Sequence, residues 1–425
     1  MKYPIKILFI SPFFAPLSNA EAFCNGKMVN QLLEDGFEVK VLSVDYGGHN
    51  KFSYDQSDIW NPLKPVTIKI PPHANTNKYF SPFLGLHYKT INWARWINAV
   101  ILKVSHLHRI HQFHIIYSRG LPNVAHIAGY WVTRKLGIKW IANFNDPWDL
   151  EATHLMPQQR HLRKKNISSF VYDRWFQIVM KKADLITFPC ERLRDYHLQM
   201  VNSPVNCSII PHIGVSGNDL SDPKTFYLIH AGSLGSGEST RHGATYELLA
   251  GFKRFLDHYP ESESYATKLL LVGKSDPLTI HIIKEMKLDT VVSFTGWVNY
   301  SESIKYIAKA SVCILVEGMM PEGIYLPSKL ADYIVSRKPV IALSPTVGTI
   351  SDLSRFKGIT RVNVDDQKSI ERAIAFHFEA FKNQQLSTLS PCDELINKFE
   401  SKNILNNFYS IIKNILPEYK SGHKL

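Results

Sequence analysis

The sequence predicts an α/β protein built from two doubly wound, Rossmann-like domains, and three observations carry that expectation. Short apolar runs of strand length recur along the chain, among them residues 5–10, 140–144, 226–230, 269–272 and 311–316. Stretches with helical spacing of apolar residues separate them, so strand and helix alternate. The length, 425 residues, exceeds one ordinary core and suits two domains of about 200 residues each.

The chain opens as a β-loop-α-β unit: a strand over 5–10, a helix over 21–35 entered through Ser18, Asn19 and Glu21, then Gly36 and a strand over 38–43. Pro12 and Pro16 interrupt the early apolar run, so it reads as a strand and not as a signal peptide. No G-x-G-x-x-G occurs there, which argues against a nicotinamide or flavin dinucleotide fold. A strand over 114–118, a helix over 122–136 and a strand over 140–144 continue the alternation, the last ending in Asn145-Asp146-Pro147-Trp148. Asp146 reads either as a carboxylate beyond a strand end, where α/β sheets gather their chemistry, or as a cap for the following turn. The polar run 216–224 reads as an interdomain linker.

The second half repeats the pattern. A strand over 226–230 leads into Ala-Gly-Ser-Leu-Gly-Ser-Gly, then Arg241 and a helix from about Thr245. Small residues at such a strand end let a diphosphate approach the backbone, and Arg241 offers a fork of donors. Later strands end at Gly273 and at Thr295-Gly296-Trp297-Val298, and residues 322–343 form a loop, a helix start at Leu-Pro-Ser-Lys and a returning strand. Ser328 and Lys329 lie where the first-turn N–H groups and the helix dipole attract an anion. Helical spacing dominates after Ile370, with a terminal helix over 396–416.

Composition bounds the function. Hydrophobic residues make up 45% and charged residues 20%, as in a soluble globular protein. Five scattered cysteines without a C-x-x-C pair suggest neither disulfides nor zinc, and a reducing cytoplasm fits best. The net charge of +12 is uneven: residues 1–200 carry 25 Lys and Arg against 14 Asp and Glu, the rest 24 against 23. A basic first half suits an anionic partner or is simply a basic surface. Two basic and aromatic stretches, 78–114 and 160–182, read either as headgroup-facing surfaces or as helices with core faces. Arg163, Lys164 and Lys165 lead the membrane or acceptor-surface reading. No zinc finger, RRM or helix-turn-helix pattern accompanies them, so nucleic acid is not expected.

Residues 322–343 resemble the donor-binding motif of retaining GT-B glycosyltransferases of the family 4 type, in its Pro-Ser-Lys-Leu variant. Asn143-Phe144-Asn145-Asp146-Pro147-Trp148 is similar to the Asp-Phe-Arg-Asp-Pro-Trp of one branch, with two Asn replacements. The commoner motif is Glu-x7-Glu, whereas nine residues separate Glu322 from Asp332 here. The resemblance implies a GT-B fold: an acceptor-binding domain over 1–215, a nucleotide-sugar domain over 216–395 facing it across a cleft, and a C-terminal helix over 396–425 returning to the first.

It further implies catalytic roles for Glu322 and Asp146. Gly232, Ser233, Arg241, Ser328, Lys329 and Asn19 would hold the donor diphosphate, and Asp332, Gly273, Trp297 and Val298 the ribose and base. No cofactor or metal is expected. The expected partners are a nucleoside diphosphate sugar, a lipid-linked or polysaccharide acceptor and a peripheral contact with anionic membrane. The rival expectations are a GT-B nucleotide-sugar epimerase and a non-catalytic nucleotide-sugar-binding subunit.

Overall fold

The computed structural model describes residues 4–47, 53–71, 93–148, 167–232, 234 and 240–416. The chain divides into two compact units, Met1–Pro211 with Ile404–Leu425, and His212–Asn403.

In the first unit the order is β1 (Lys6–Ile10), α1 (Ala20–Glu34), β2 (Glu38–Val44), β3 (Thr67–Ile70), α2 (Trp93–His111), β4 (Ile115–Arg119), α3 (Val124–Leu136), β5 (Lys139–Asn143), α4 (Ile167–Lys182), β6 (Leu185–Phe188), α5 (Glu191–Leu198) and β7 (Cys207–Ile209). The strands form one parallel sheet in the order β3-β2-β1-β4-β5-β6-β7. Both faces are covered by helices, which is why β4 and β6 are buried at every residue, the polar Ser118, Arg119 and Thr187 included. The chain moves outward from β1 to β3 and restarts at β4 beside β1, so the order reverses between β1 and β4. Ligands of open α/β sheets bind at such a reversal, beyond the carboxyl ends of the strands.

The second unit runs β8 (Tyr227–Ala231), α6 (Thr240–His258), β9 (Lys268–Val272), α7 (Pro277–Glu285), β10 (Val292–Phe294), α8 (Tyr300–Lys309), β11 (Val312–Val316), α9 (Ser328–Val335), β12 (Val340–Leu343), α10 (Thr349–Leu353), β13 (Ile359–Val362), α11 (Gln367–Lys382) and α12 (Asp393–Asn397). Its parallel sheet has the order β10-β9-β8-β11-β12-β13, reversing between β8 and β11. One core joins the sheet to α6 and α11, with Phe226, Phe252, Phe255 and Phe378 all fully buried. Gly251 permits the close approach of these two helices, since a Cβ there would lie 2.5 Å from Ile370 Cγ2.

Two local expectations change, and one is refined. The helix expected over 396–416 is two helices, α12 and α13 (Ser401–Ile415). Between them Phe399 is buried, and its carbonyl accepts from the Gly214 N–H at 3.0 Å. The helix expected from Thr245 begins five residues earlier, at Thr240. Pro327 is the cap of α9 and Ser328 its first residue.

The helix α13 packs on the first unit through Ile404, Leu405, Phe408 and Ile412, with Phe408 stacked on Tyr117 at 5.3 Å between centroids. In the basic and aromatic stretches, α2 buries Trp93 and Trp96 while α4 buries Tyr172 and Phe176 against Trp148. Those aromatics are core. Phe170, 72% exposed, is not. Arg163, Lys164 and Lys165 lie outside the described residues, and no helix among the described residues is long and apolar enough to cross a membrane.

Candidate functional site

In the second unit, the site grows from the reversal of strand order. His230 is fully buried in β8, and its Nδ1 donates to the Ile314 carbonyl of the neighbouring β11 at 3.0 Å. Its Nε2 is thereby the accepting nitrogen, and it faces Lys329 Nζ at 3.2 Å. A Cβ built on Gly232 would come 3.0 Å from that same Nζ, so the ammonium sits beside the strand end. Gly232 has φ of +100° and Gly273 of +150°, and a Cβ on Gly273 would lie 3.3 Å from the Gly232 carbonyl oxygen. Two strand ends therefore present bare backbone beside a lysine.

The helix α9 is fixed to this edge by Tyr333, whose hydroxyl accepts from Ala231 N–H at 2.8 Å and donates to the Ile314 carbonyl at 3.4 Å. Burial holds that phenol well above its ordinary pKa, so it remains a hydroxyl. The first turn of α9, with half-buried Ser328 and Lys329, is thus stitched to the carboxyl edge of β8. Among the described residues, Lys329, next to Ser328 in the first turn of α9, lies beside Gly232, which in turn lies against Gly273. Ser233 lies outside the described residues, and of Arg241 only the backbone, in the first turn of α6, is described.

Asp332, the residue expected at the ribose, is bonded through one carboxylate oxygen within the second unit. It is 5% exposed, and its Oδ1 accepts from Val215 N–H at 2.9 Å and from the Tyr300 hydroxyl at 3.1 Å. Beside it, Gly214 packs so closely on α9 that a Cβ would lie 2.4 Å from the Ala331 carbonyl oxygen. Glu322 is half-buried in the loop before α9; the adjacent Gly323 is bonded to Val347 and Thr349. Trp297 is 42% exposed, Val298 is half-buried, and Thr295 Oγ1 accepts from Gly273 N–H at 3.2 Å.

The first unit carries its own polar cluster at the β1 and β4 reversal. Asn19 caps α1, its Oδ1 accepting from Ala22 N–H at 2.8 Å. In the first turn Glu21 accepts from Asn145 Nδ2 at 2.8 Å and from Asn25 Nδ2 at 3.1 Å. Asn145 Oδ1 accepts in turn from Arg119 Nη2 at 3.3 Å. Loss of water raises the Glu21 carboxyl from 4.5 to about 8; Arg119 and the two amides oppose the rise, and nearby Asp146 adds to it. His126 stacks on Phe144 and bonds Ser118 at 2.9 Å; burial lowers it to about 3, so it stays uncharged and structural. Sequence reasoning singled out Asp146 and placed Glu21 at the entry of α1, but it found neither His230 nor the joining of Glu21 to Asn145 and Arg119. His230 hides inside an apolar run, and the others are joined only by folding.

Solved structures that resemble this chain cover nearly its whole length at low identity. Sucrose-phosphate synthase from Thermosynechococcus elongatus is 14% identical with a TM-score of 0.68, covering 97% of this chain and 100% of its own. Anabaena HepE, solved with UDP and glucose, is 13% identical with a TM-score of 0.63 over 96% and 99%. A UDP-N-acetylglucosamine 2-epimerase is 10% identical with a TM-score of 0.59 over 99% and 98%. No protein-family model and no curated protein matches the chain. The fold is therefore GT-B, with two parallel Rossmann-like sheets and a C-terminal helix that packs on the first unit.

Proposed function

We propose that the protein is a retaining, family 4-like glycosyltransferase that moves a sugar from a nucleoside diphosphate donor to a lipid-linked or polysaccharide acceptor. The observation that carries the reading is Lys329, held by His230 beside the bare backbone of Gly232 and Gly273 at the start of α9. An ammonium, first-turn N–H groups and a helix dipole aimed at one place stabilise charge that develops on a leaving diphosphate. The reaction then needs no metal. Arg241 would add donors to the same oxygens and Asn19 would bind the diphosphate from the first unit. Glu322 would bind the donor sugar, Asp332 the ribose through Oδ2, and Trp297 and Val298 the base. A peripheral contact with anionic membrane through Arg163, Lys164 and Lys165 belongs to the same reading.

Uridine nucleotides are the first donors to try, because HepE was solved with UDP. Lys329→Ala is expected to weaken UDP binding about 10- to 100-fold, the worth of a charge-assisted bond, with the melting temperature of the unliganded protein nearly unchanged. Titration calorimetry on the purified variant, with Arg241→Ala beside it, measures this. Wild-type affinity in both variants would remove the donor site.

The likeness to an epimerase over 99% of this chain supports a second reading, in which the donor is isomerised without an acceptor. Product analysis with radiolabelled UDP-sugars separates the two: transfer puts label into a glycan, whereas epimerisation returns a changed nucleotide sugar. Recovery of unchanged donor under all conditions would favour a non-catalytic binding subunit, a role that Asn143 and Asn145 in place of Asp and Arg would suit.

A further inference from the structure

Arg119 ends β4 with only 4% of its surface exposed, yet its bonds are poor. Its Nη1 reaches the Tyr117 hydroxyl and its Nη2 reaches Asn145 Oδ1, both at 3.3 Å, and its Nε has no partner. Among the described residues no carboxylate pairs with it; the amide of Asn145 stands between Arg119 and Glu21 and bonds both. Desolvating a guanidinium without full compensation is costly, and folds leave such groups chiefly where a ligand or water completes the set. The cluster lies at the reversal between β1 and β4, with half-buried Asp146 next along the chain from Asn145. An under-bonded buried cation thus lies at the switch in strand order, the place where open α/β sheets bind their ligands.

We propose that Glu21, Arg119, Asn145 and Asp146 form a subsite for a carbohydrate acceptor, with Glu21 and Asp146 taking its hydroxyl groups. The proposal rests on the glycosyl-transfer reading and assigns the acceptor end of it. A carboxyl at about 8 keeps its proton at pH 7. Glu21 then offers an O–H to a hydroxyl oxygen, and the Asp146 carboxylate receives a hydroxyl proton, so one sugar meets a donor and an acceptor side by side. The groups that face Glu21 and set its charge are Asn25 on α1, Arg119 on β4, and Asn145 and Asp146 after β5.

The test uses methyl hexosides as probes, with saturation-transfer NMR on the full chain and UDP-induced melting shifts on the same samples. Wild-type protein is expected to bind at least one hexoside at pH 7 and to lose about tenfold in affinity by pH 9, as Glu21 gives up its proton. Glu21→Gln, a neutral mimic of the protonated acid, is expected to bind at both pH values without that loss, and Glu21→Ala to bind weakly at both. Absence of hexoside binding by the wild type, an unchanged affinity in Glu21→Ala, or the same pH-dependent loss in Glu21→Gln would each overturn the subsite. The UDP shift is judged apart: its absence in the wild type overturns the donor reading, whereas its presence alongside any of those results refutes the acceptor assignment alone.

Discussion

Glu21→Gln is expected to stabilise the first unit far more at pH 9 than at pH 5. The folded carboxyl titrates at about 8 and the unfolded one at 4.5, so between those values the native state holds a proton that the unfolded state has released. Stability therefore falls as pH rises from about 4.5 to about 8, and the full cost persists above that range. Glutamine cannot ionise and escapes it. At about 1.36 kcal/mol per unit, and with the side chain only half removed from water, the difference between the two pH values should be about 2–4 kcal/mol. Unfolding curves at both pH values measure it, and because each variant is compared with itself, constant differences in packing cancel. Equal shifts of stability with pH in wild type and Glu21→Gln would show that Glu21 titrates as an ordinary surface acid.

Asp332→Ala should cost the second unit about 2–4 kcal/mol, because it strands a backbone N–H and a phenol that share one carboxylate oxygen. Asp332→Asn keeps an accepting Oδ1 and should cost about 1 kcal/mol or less. The pair of variants also weighs the ribose role. If Oδ2 binds a nucleotide ribose, Asp332→Asn will lose UDP affinity by about tenfold while remaining close to wild type in melting temperature. If only Asp332→Ala changes, and only in stability, the aspartate is a fastener of α9 and residues 214–215 and takes no part in donor binding.

The difference between what could and could not be read from residues follows from the range of the forces involved. Strands such as β11 and β12 are buried throughout and wholly apolar, so they stand out, and alternation with amphipathic helices was enough to expect two doubly wound sheets. The helix start at Ser328 and Lys329 was legible because its chemistry is local. The direction of Asp332 was not, since its partners lie 117 and 32 residues away. Likewise Glu21 and Asn145 are 124 residues apart, and nothing in either neighbourhood says that one amide will bridge an acid and a guanidinium. The break before α13 was hidden for the opposite reason. Phe399 keeps the apolar rhythm of a helix while its carbonyl is drawn off to Gly214, so periodicity ran straight across a point where the backbone does not.

The last helix has a consequence for synthesis. Tyr117 lies at the middle of the first sheet to emerge from the ribosome, yet the ring that stacks on it, Phe408, is translated almost three hundred residues later. Asn407 likewise bonds the carbonyl of Ile209 on the last strand of that sheet, at 3.1 Å. A nascent chain can pair β1–β7 long before it possesses Phe408 and Asn407, which touch β4 and β7. A chain that ends near residue 400 is therefore expected to leave the sheet around Tyr117 without its last apolar cover, and to be more prone to aggregate than the full chain.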